Sequence, residues 1–201
     1  MNAETAPPIW YLFDYGMVIS TAPEPEDWEA LREAAGLPLE SRDSSYWLHR
    51  HGFDAGTLTA QDYWTRVLGR EIGADLTARL ETLDADQWSH LNPETLDVLE
   101  DLHLGGARLA LLSNMPAGMA AQYSRSAPWA GYFDKLFFSG QLGLAKPDPQ
   151  IFRDVLAHLG TTTAQVTFVD DVQENIDAAA VLGMRTVLHQ PGINLRAELG
   201  L

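Results

Sequence analysis

The sequence predicts an α/β fold: a parallel sheet with helices on both faces and an all-helical insertion after the first strand. Three observations carry that reading. Short unbroken apolar runs occur at Ile9-Trp10-Tyr11-Leu12-Phe13, Leu109-Ala110-Leu111-Leu112 and Val166-Thr167-Phe168-Val169, and runs of this length separated by helical stretches read as strands buried on both faces. A long segment without a strand lies between the first run and the second. Each run stops on an oxygen-bearing side chain, Asp14, Ser113 and the pair Asp170-Asp171. Sheets of this kind bind ligands beyond the carboxyl ends of their strands, so these four residues are predicted to meet in one crevice.

In chain order, the opening residues Met1-Asn2-Ala3-Glu4-Thr5-Ala6-Pro7-Pro8 have no basic n-region, and the apolar run after them is too short for a signal or membrane segment. The first strand follows. From about residue 20 to about residue 91 the pattern is helical: Trp28, Leu31 and Ala35 share one face, Thr59 and Asp62 resemble a capping box ahead of Tyr63, Trp64 and Val67, and Gly56 and Gly73 punctuate the segment. Asn92-Pro93 supplies an N-cap and a proline at the first helical position, Leu96, Leu99 and Leu102 follow at helical spacing, and Gly105-Gly106 ends the helix. After the second strand a helix opens at Asp148-Pro149, buries Ile151, Phe152, Val155, Leu156 and Leu159, and stops at Gly160. Another runs from about Val172 to Leu182, and Thr186-Val187-Leu188 supplies a further strand. The predicted division is therefore core 1–19, helical cap 20–91 and core 92–201.

The 201 residues fit one core domain carrying an insertion. The absence of cysteine removes disulfides, thiolate catalysis and cysteine zinc sites, and it agrees with a reducing, cytoplasmic setting. A formal charge of -15 disfavours nucleic acid and anionic membranes as partners. The same charge repels any anionic substrate, so a cation or a local positive group must reverse the sign inside the crevice. Only two lysines stand against eleven arginines, and one of the two, Lys146, precedes Pro147-Asp148-Pro149, where the chain turns into a helix.

Four segments taken together, Phe13-Asp14-Tyr15-Gly16-Met17-Val18, Leu112-Ser113-Asn114, Leu144-Ala145-Lys146-Pro147-Asp148-Pro149 and Phe168-Val169-Asp170-Asp171-Val172-Gln173-Glu174-Asn175, resemble in order and spacing the signature motifs of the haloacid dehalogenase superfamily. The resemblance implies a Rossmannoid core, a cap inserted after the first strand, an aspartate nucleophile and, most often, a small phosphate monoester as substrate. It implies Asp14 as the nucleophile, forming an aspartyl-phosphate. It also implies Mg2+ held by Asp14, the backbone carbonyl of Gly16 and Asp171. Asp170 would act behind the metal, orienting a bound water or Lys146. Ser113, the backbone N–H groups around Asn114, and Lys146 would contact the phosphoryl oxygens. Asn175, four residues after Asp171, would share its helix face and tie that motif together.

Asp or Ser before a helix is also ordinary N-cap chemistry. Three carboxylates on one spot are not, because like charges at about 4 Å repel by roughly 1 to 4 kcal/mol per pair at the dielectric of water or of a protein surface. Within the cap, Tyr46-Trp47-Leu48-His49-Arg50-His51 is the candidate segment for substrate contacts; Trp47 reads as cap core with solvated histidines beside it, and Trp28, Trp64 and Trp88 read as packing.

One position departs from the pattern. Most phosphatases that this chain resembles carry a second aspartate two residues after the nucleophile, as general acid and base; here it is Gly16. A backbone carbonyl survives that change and a proton donor does not. Positioned proton transfer is worth about a hundredfold to ten-thousandfold, so the sequence predicts a slow enzyme, a good leaving group or a substitute acid from the cap. The alternatives are a metal-free 2-haloacid dehalogenase, disfavoured by the Asp170-Asp171 pair, and a weakly active or non-catalytic binding protein. The sequence leaves the oligomeric state open.

Overall fold

The computed structural model describes residues 9–201; the opening segment read above, 1–8, lies outside the described residues. Strand β1 (Trp10–Phe13) is followed by four helices, α1 (Pro25–Ala35), α2 (Ser45–Asp54), α3 (Ala60–Leu68) and α4 (Ala74–Gln87). Then come α5 (Pro93–Leu104), β2 (Arg108–Ser113), α6 (Ala117–Ser126), β3 (Lys135–Phe138), α7 (Ser139–Leu142), α8 (Pro149–Leu159), β4 (Val166–Asp170), α9 (Gln173–Val181), β5 (Arg185–Leu188) and α10 (Leu195–Leu199).

The five strands form one parallel sheet in the order β3-β2-β1-β4-β5. Successive crossovers run outward on one side of β1 and then on the other, so the switch point falls between β1 and β4. The register brings their ends level: Phe13 lies opposite Leu111 of β2 and Val169 of β4, and the Asp14 N–H donates to the Val169 carbonyl at 2.9 Å.

Alternation along the strands sends side chains to two cores. Phe13, Leu109, Leu111, Val169 and Val187 pack with α5, α6 and α10 on one face; Trp10, Leu12, Ala110, Leu112, Val166 and Phe168 pack with α8 and α9 on the other. Both faces are covered, which is why the strands are nearly all apolar. The predicted caps are present: Asn92 accepts from the N–H groups of Glu94 and Thr95, Asp148 from that of Gln150, and Thr59 from that of Asp62.

Helices α1–α4 surround a separate apolar cluster that includes Leu31, Leu39, Tyr46, Phe53, Tyr63, Trp64 and Leu80. The chain leaves the sheet and returns to it side by side, with Ser20 bridged antiparallel to Leu91 and flanking bonds from the Thr21 N–H to the His90 carbonyl and the Asn92 N–H to the Ile19 carbonyl, each 2.8 Å. Four core elements escaped the sequence reading. Strand β3 is one, although Leu136-Phe137-Phe138 obeys the same rule as the other runs and stops on Ser139; it sits at the sheet edge and has four residues. Helices α6, α7 and α10 are the others. No helix among the described residues is long and apolar enough to cross a membrane.

Candidate active site

Three strand ends and one loop supply the site. Asp14 follows β1, Ser113 ends β2, Asp170 ends β4 with Asp171 directly after it, and Lys146 arrives from the loop between α7 and α8. One carboxylate oxygen from each of Asp14, Asp170 and Asp171 lies within 4.8 Å of the other two. The Lys146 side chain is 1% exposed, and its Nζ reaches Asp14 Oδ1 at 2.8 Å, Asp170 Oδ2 at 2.6 Å and the Leu112 carbonyl at 2.8 Å. A buried ammonium with three acceptors is fully satisfied.

The three carboxylates are not equivalent. Asp170 is buried and both its oxygens are occupied: Oδ1 accepts from the Val172 N–H at 2.8 Å and from Asn175 Nδ2 at 3.0 Å, and Oδ2 accepts from Lys146 Nζ at 2.6 Å and Asn175 Nδ2 at 3.1 Å. Asn175 therefore braces Asp170. The predicted shared helix face with Asp171 does not form, because α9 starts at Gln173 and Asp171 precedes it in a bend. Asp14 and Asp171 keep valences for a ligand. Burial pushes the Asp14 carboxyl up to about 7; Lys146 pulls it down, and Asp170 and Asp171 push it up. Burial, then Asp170, pushes Asp171 up to about 6, against the pull of Lys146. Lys146 is itself pulled down by burial, but Asp14 and Asp170 outweigh this and leave it raised. The cluster holds more negative charge than one ammonium balances, and a divalent cation with oxygen ligands is the group that would relieve it.

Asn114 plays a part the sequence did not suggest. Its side chain makes a paired contact with the Lys146 backbone, Nδ2 to the carbonyl at 2.8 Å and Oδ1 from the N–H at 2.9 Å, which fixes the Lys146 loop to the end of β2. The Asn114 N–H and the Ser113 hydroxyl donate to no described residue.

A cavity of about 130 Å³ opens between the sheet and the insertion, lined by Tyr15, Gly16, Ser113 and Asn114 from below and by Trp47, Arg50, Asp54 and Trp88 from above. Trp88, read from sequence as packing, thus faces the site; its Nε1 also donates to the Tyr46 hydroxyl at 3.2 Å. Trp47 packs edge-on against Tyr46 and against Trp88 and lines the cavity. Of the predicted contact segment, Tyr46 and Arg50 are buried, His49 is half-buried and His51 is exposed. Arg50 joins two carboxylates, Asp54 Oδ1 through Nε at 2.7 Å and Asp84 through the guanidinium nitrogen Nη1 at 2.8 and 2.9 Å. Sequence reading missed Asp54, Asp84 and Ser139; the i,i+4 spacing of Arg50 and Asp54 was the available signal. Asp171 also lines a second hollow of about 440 Å³ with Met17, Asn92 and His189, so the acidic cluster lies open on a second side.

Comparison with known proteins agrees with this geometry. A D-ribitol-5-phosphate phosphatase of Bacteroides thetaiotaomicron is 28% identical over 200 residues, covering 94% of this chain and 95% of the relative. A phosphatase of Mycobacterium tuberculosis is 27% identical over 173 residues, covering 81% of this chain and 80% of its own length. Among solved structures, a HAD family enzyme from Bacteroides thetaiotaomicron in complex with magnesium and inorganic phosphate superposes with a TM-score of 0.74 at 20% identity, over 94% of this chain and 97% of the other. The model of the haloacid dehalogenase-like hydrolases matches residues 41–183, most of the chain and three of the four motifs that converge here, and the protein belongs to that family of hydrolases.

Proposed function

We propose that the protein is a magnesium-dependent phosphatase of a small phosphate monoester that works through an aspartyl-phosphate on Asp14. The observation that carries this reading is the approach of Asp14, Asp170 and Asp171 within 4.8 Å, with Lys146 buried among them. A structural crevice gains nothing from such a cluster, whereas transfer of a phosphoryl group needs an in-line nucleophile and positive charge around its equatorial oxygens.

Asp14, the Gly16 carbonyl and Asp171 would hold magnesium, which when bound offsets charge on the phosphoryl group. Asp14 attacks phosphorus as the bond to the leaving alcohol breaks, forming an acyl phosphate, and water then hydrolyses that anhydride to release phosphate and restore the carboxylate. Lys146 holds the attacking carboxylate in place and contributes positive charge. The Ser113 hydroxyl and the Asn114 N–H, both free, receive phosphoryl oxygens. Asp170 and Asn175 keep Lys146 in register. Residues 20–91 act as a cap that closes the leaving-group side, with core segments 1–19 and 92–201 around it. The names of the relatives support a phosphorylated metabolite as substrate, and the Trp47 and Trp88 faces beside Arg50 and Asp54 suit a small polar one such as a sugar phosphate.

The test is release of phosphate from p-nitrophenyl phosphate with magnesium and with a chelator, in wild type and Asp14→Asn. Magnesium-dependent release in the wild type and none in Asp14→Asn supports the reading. Equal rates in the two proteins, or indifference to the chelator, would refute it.

A further inference from the structure

Gly16 leaves an opening where a proton donor is expected, and the structure shows what lies across it. A Cβ built on Gly16 would meet no atom within 4 Å, so the space is open. It belongs to the cavity whose upper wall includes Asp54. Resting on the phosphatase reading above, we propose that Asp54, the last residue of α2, is the general acid and base of the reaction, replacing from the cap the carboxylate that Gly16 lacks.

Three features support the assignment. The first is a surplus of acid. One guanidinium, Arg50, serves both Asp54 and Asp84. Asp84 is also held by the Tyr46 hydroxyl at 2.6 Å and by Gln87 Nε2 at 2.9 Å, whereas Asp54 accepts only from Arg50 Nε and its Oδ2 accepts from no described residue. Of the two, Asp54 has the carboxylate oxygen left without a donor and is the one placed to carry a proton. Burial pushes its carboxyl up to about 7, with Arg50 pulling down and Asp84 pushing up, which suits an acid that must give and recover a proton near neutrality. The titratable and charged groups facing it are Arg50 on its own helix, Tyr63 on α3 and Asp84 on α4; on the core side the cavity is lined by uncharged Tyr15, Gly16, Ser113, Asn114 and two methionines. Asp54 makes no hydrogen bond to Asp14, Asp170 or Asp171.

The second feature is fixation. The Asp54 backbone carbonyl accepts from the Ser139 hydroxyl, which in turn accepts from the Met115 N–H at 2.9 Å. Two residues on, Gly56 sits so close to α7 that a Cβ there would fall 2.6 Å from the Gly140 carbonyl oxygen. The end of α2 is thus seated on the core beside Met115, two residues beyond the end of β2 at Ser113. The third is access, since the Asp54 side chain retains 15% exposure within an otherwise buried network.

The proton balance closes. As Asp14 forms its bond to phosphorus and the phosphorus–oxygen bond to the leaving group breaks, the departing oxygen takes the Asp54 proton. Water then attacks phosphorus, gives a proton to Asp54 and displaces Asp14, whose carboxylate is restored.

Asp54→Asn keeps an acceptor for Arg50 and removes the acid. Measured with phenyl phosphate, a poor leaving group, the first step should slow by about a hundredfold or more. With p-nitrophenyl phosphate the burst that forms the aspartyl-phosphate should persist at close to its wild-type rate, followed by slow turnover. Gly16→Asp placed in the Asp54→Asn background should restore turnover on phenyl phosphate. In the wild type, the first step on phenyl phosphate should fall as pH rises past about 7 while that on p-nitrophenyl phosphate does not, a measurement that requires no variant to fold. Equal losses on both esters, no gain from Gly16→Asp, or identical pH profiles would overturn the assignment. A wild type inactive on both esters would instead remove the phosphatase reading itself, and the role of Asp54 with it.

Discussion

Lys146 Nζ lies 2.8 Å from Asp14 Oδ1, so the nucleophile proposed here is held by an ammonium that is also bound to Asp170 at 2.6 Å. Replacing that cation with a neutral side chain of similar length leaves two buried carboxylates facing each other. Breaking a buried pair in this way costs about 3–5 kcal/mol. Lys146→Met should lower the urea midpoint accordingly and abolish phosphate release, and millimolar magnesium should recover part of the lost stability by compensating the same acids.

The second buried cation makes a contrast. Arg50→Met strands Asp54 and Asp84 inside the helical insertion, with a loss of similar size, about 3–5 kcal/mol. This cluster has two carboxylates, not three, and Asp84 is already held by Tyr46 and Gln87. Magnesium should not rescue this variant in the same denaturation experiment.

Stability of the metal-free protein should depend on pH in a defined direction. Asp14 rises from 3.8 to about 7 and Asp171 to about 6 on folding. The folded state therefore holds more protons than the unfolded chain between about pH 4 and 7. Their contribution is fully present below the unfolded value and is lost as pH rises through the folded ones. With chelator present, the urea midpoint should decline across this window. Asp14→Asn should show a shallower decline, and magnesium should flatten it by taking the place of the protons.

Gly56 and Gly36 provide a matched pair. Both have positive φ, +71° and +79°, but only Gly56 has a neighbour in the way, the Gly140 carbonyl oxygen at 2.6 Å. Alanine at either position incurs left-handed strain of about 1–2 kcal/mol. Gly56→Ala should lose more stability than Gly36→Ala and should lower turnover, since it lifts the Asp54 end of α2 from the core. Melting curves and rates on p-nitrophenyl phosphate for the two variants check this.

Much of this was legible in the residues. Leu109 to Ser113 reads as a strand because a doubly covered sheet admits almost nothing but apolar side chains, and Asp148-Pro149 reads as a helix start because its backbone chemistry is local. Strand β3 was not, since its four residues run from an exposed lysine and draw their order from pairing with β2. The Asp14, Asp170 and Asp171 gathering follows from strand ends that a parallel sheet must bring together, and Lys146 joins it from the loop between α7 and α8. Asp54 could not be placed that way. Its position depends on how α2 seats against α7, through Gly56, Gly140 and a Ser139 hydroxyl more than eighty positions away in sequence, and no periodicity encodes such a contact.

The pairing of Ser20 with Leu91 has a consequence for how such a chain changes over time. Because departure and return are adjacent rungs of one ladder, whatever lies between them can lengthen, shrink or be exchanged while the path of the host strands stays as it is, as holds generally for insertions whose ends are neighbours. The strand termini that gather Asp14, Asp170 and Asp171 can then be preserved while the excursion, and with it the Asp54 wall of the cavity, is rewritten.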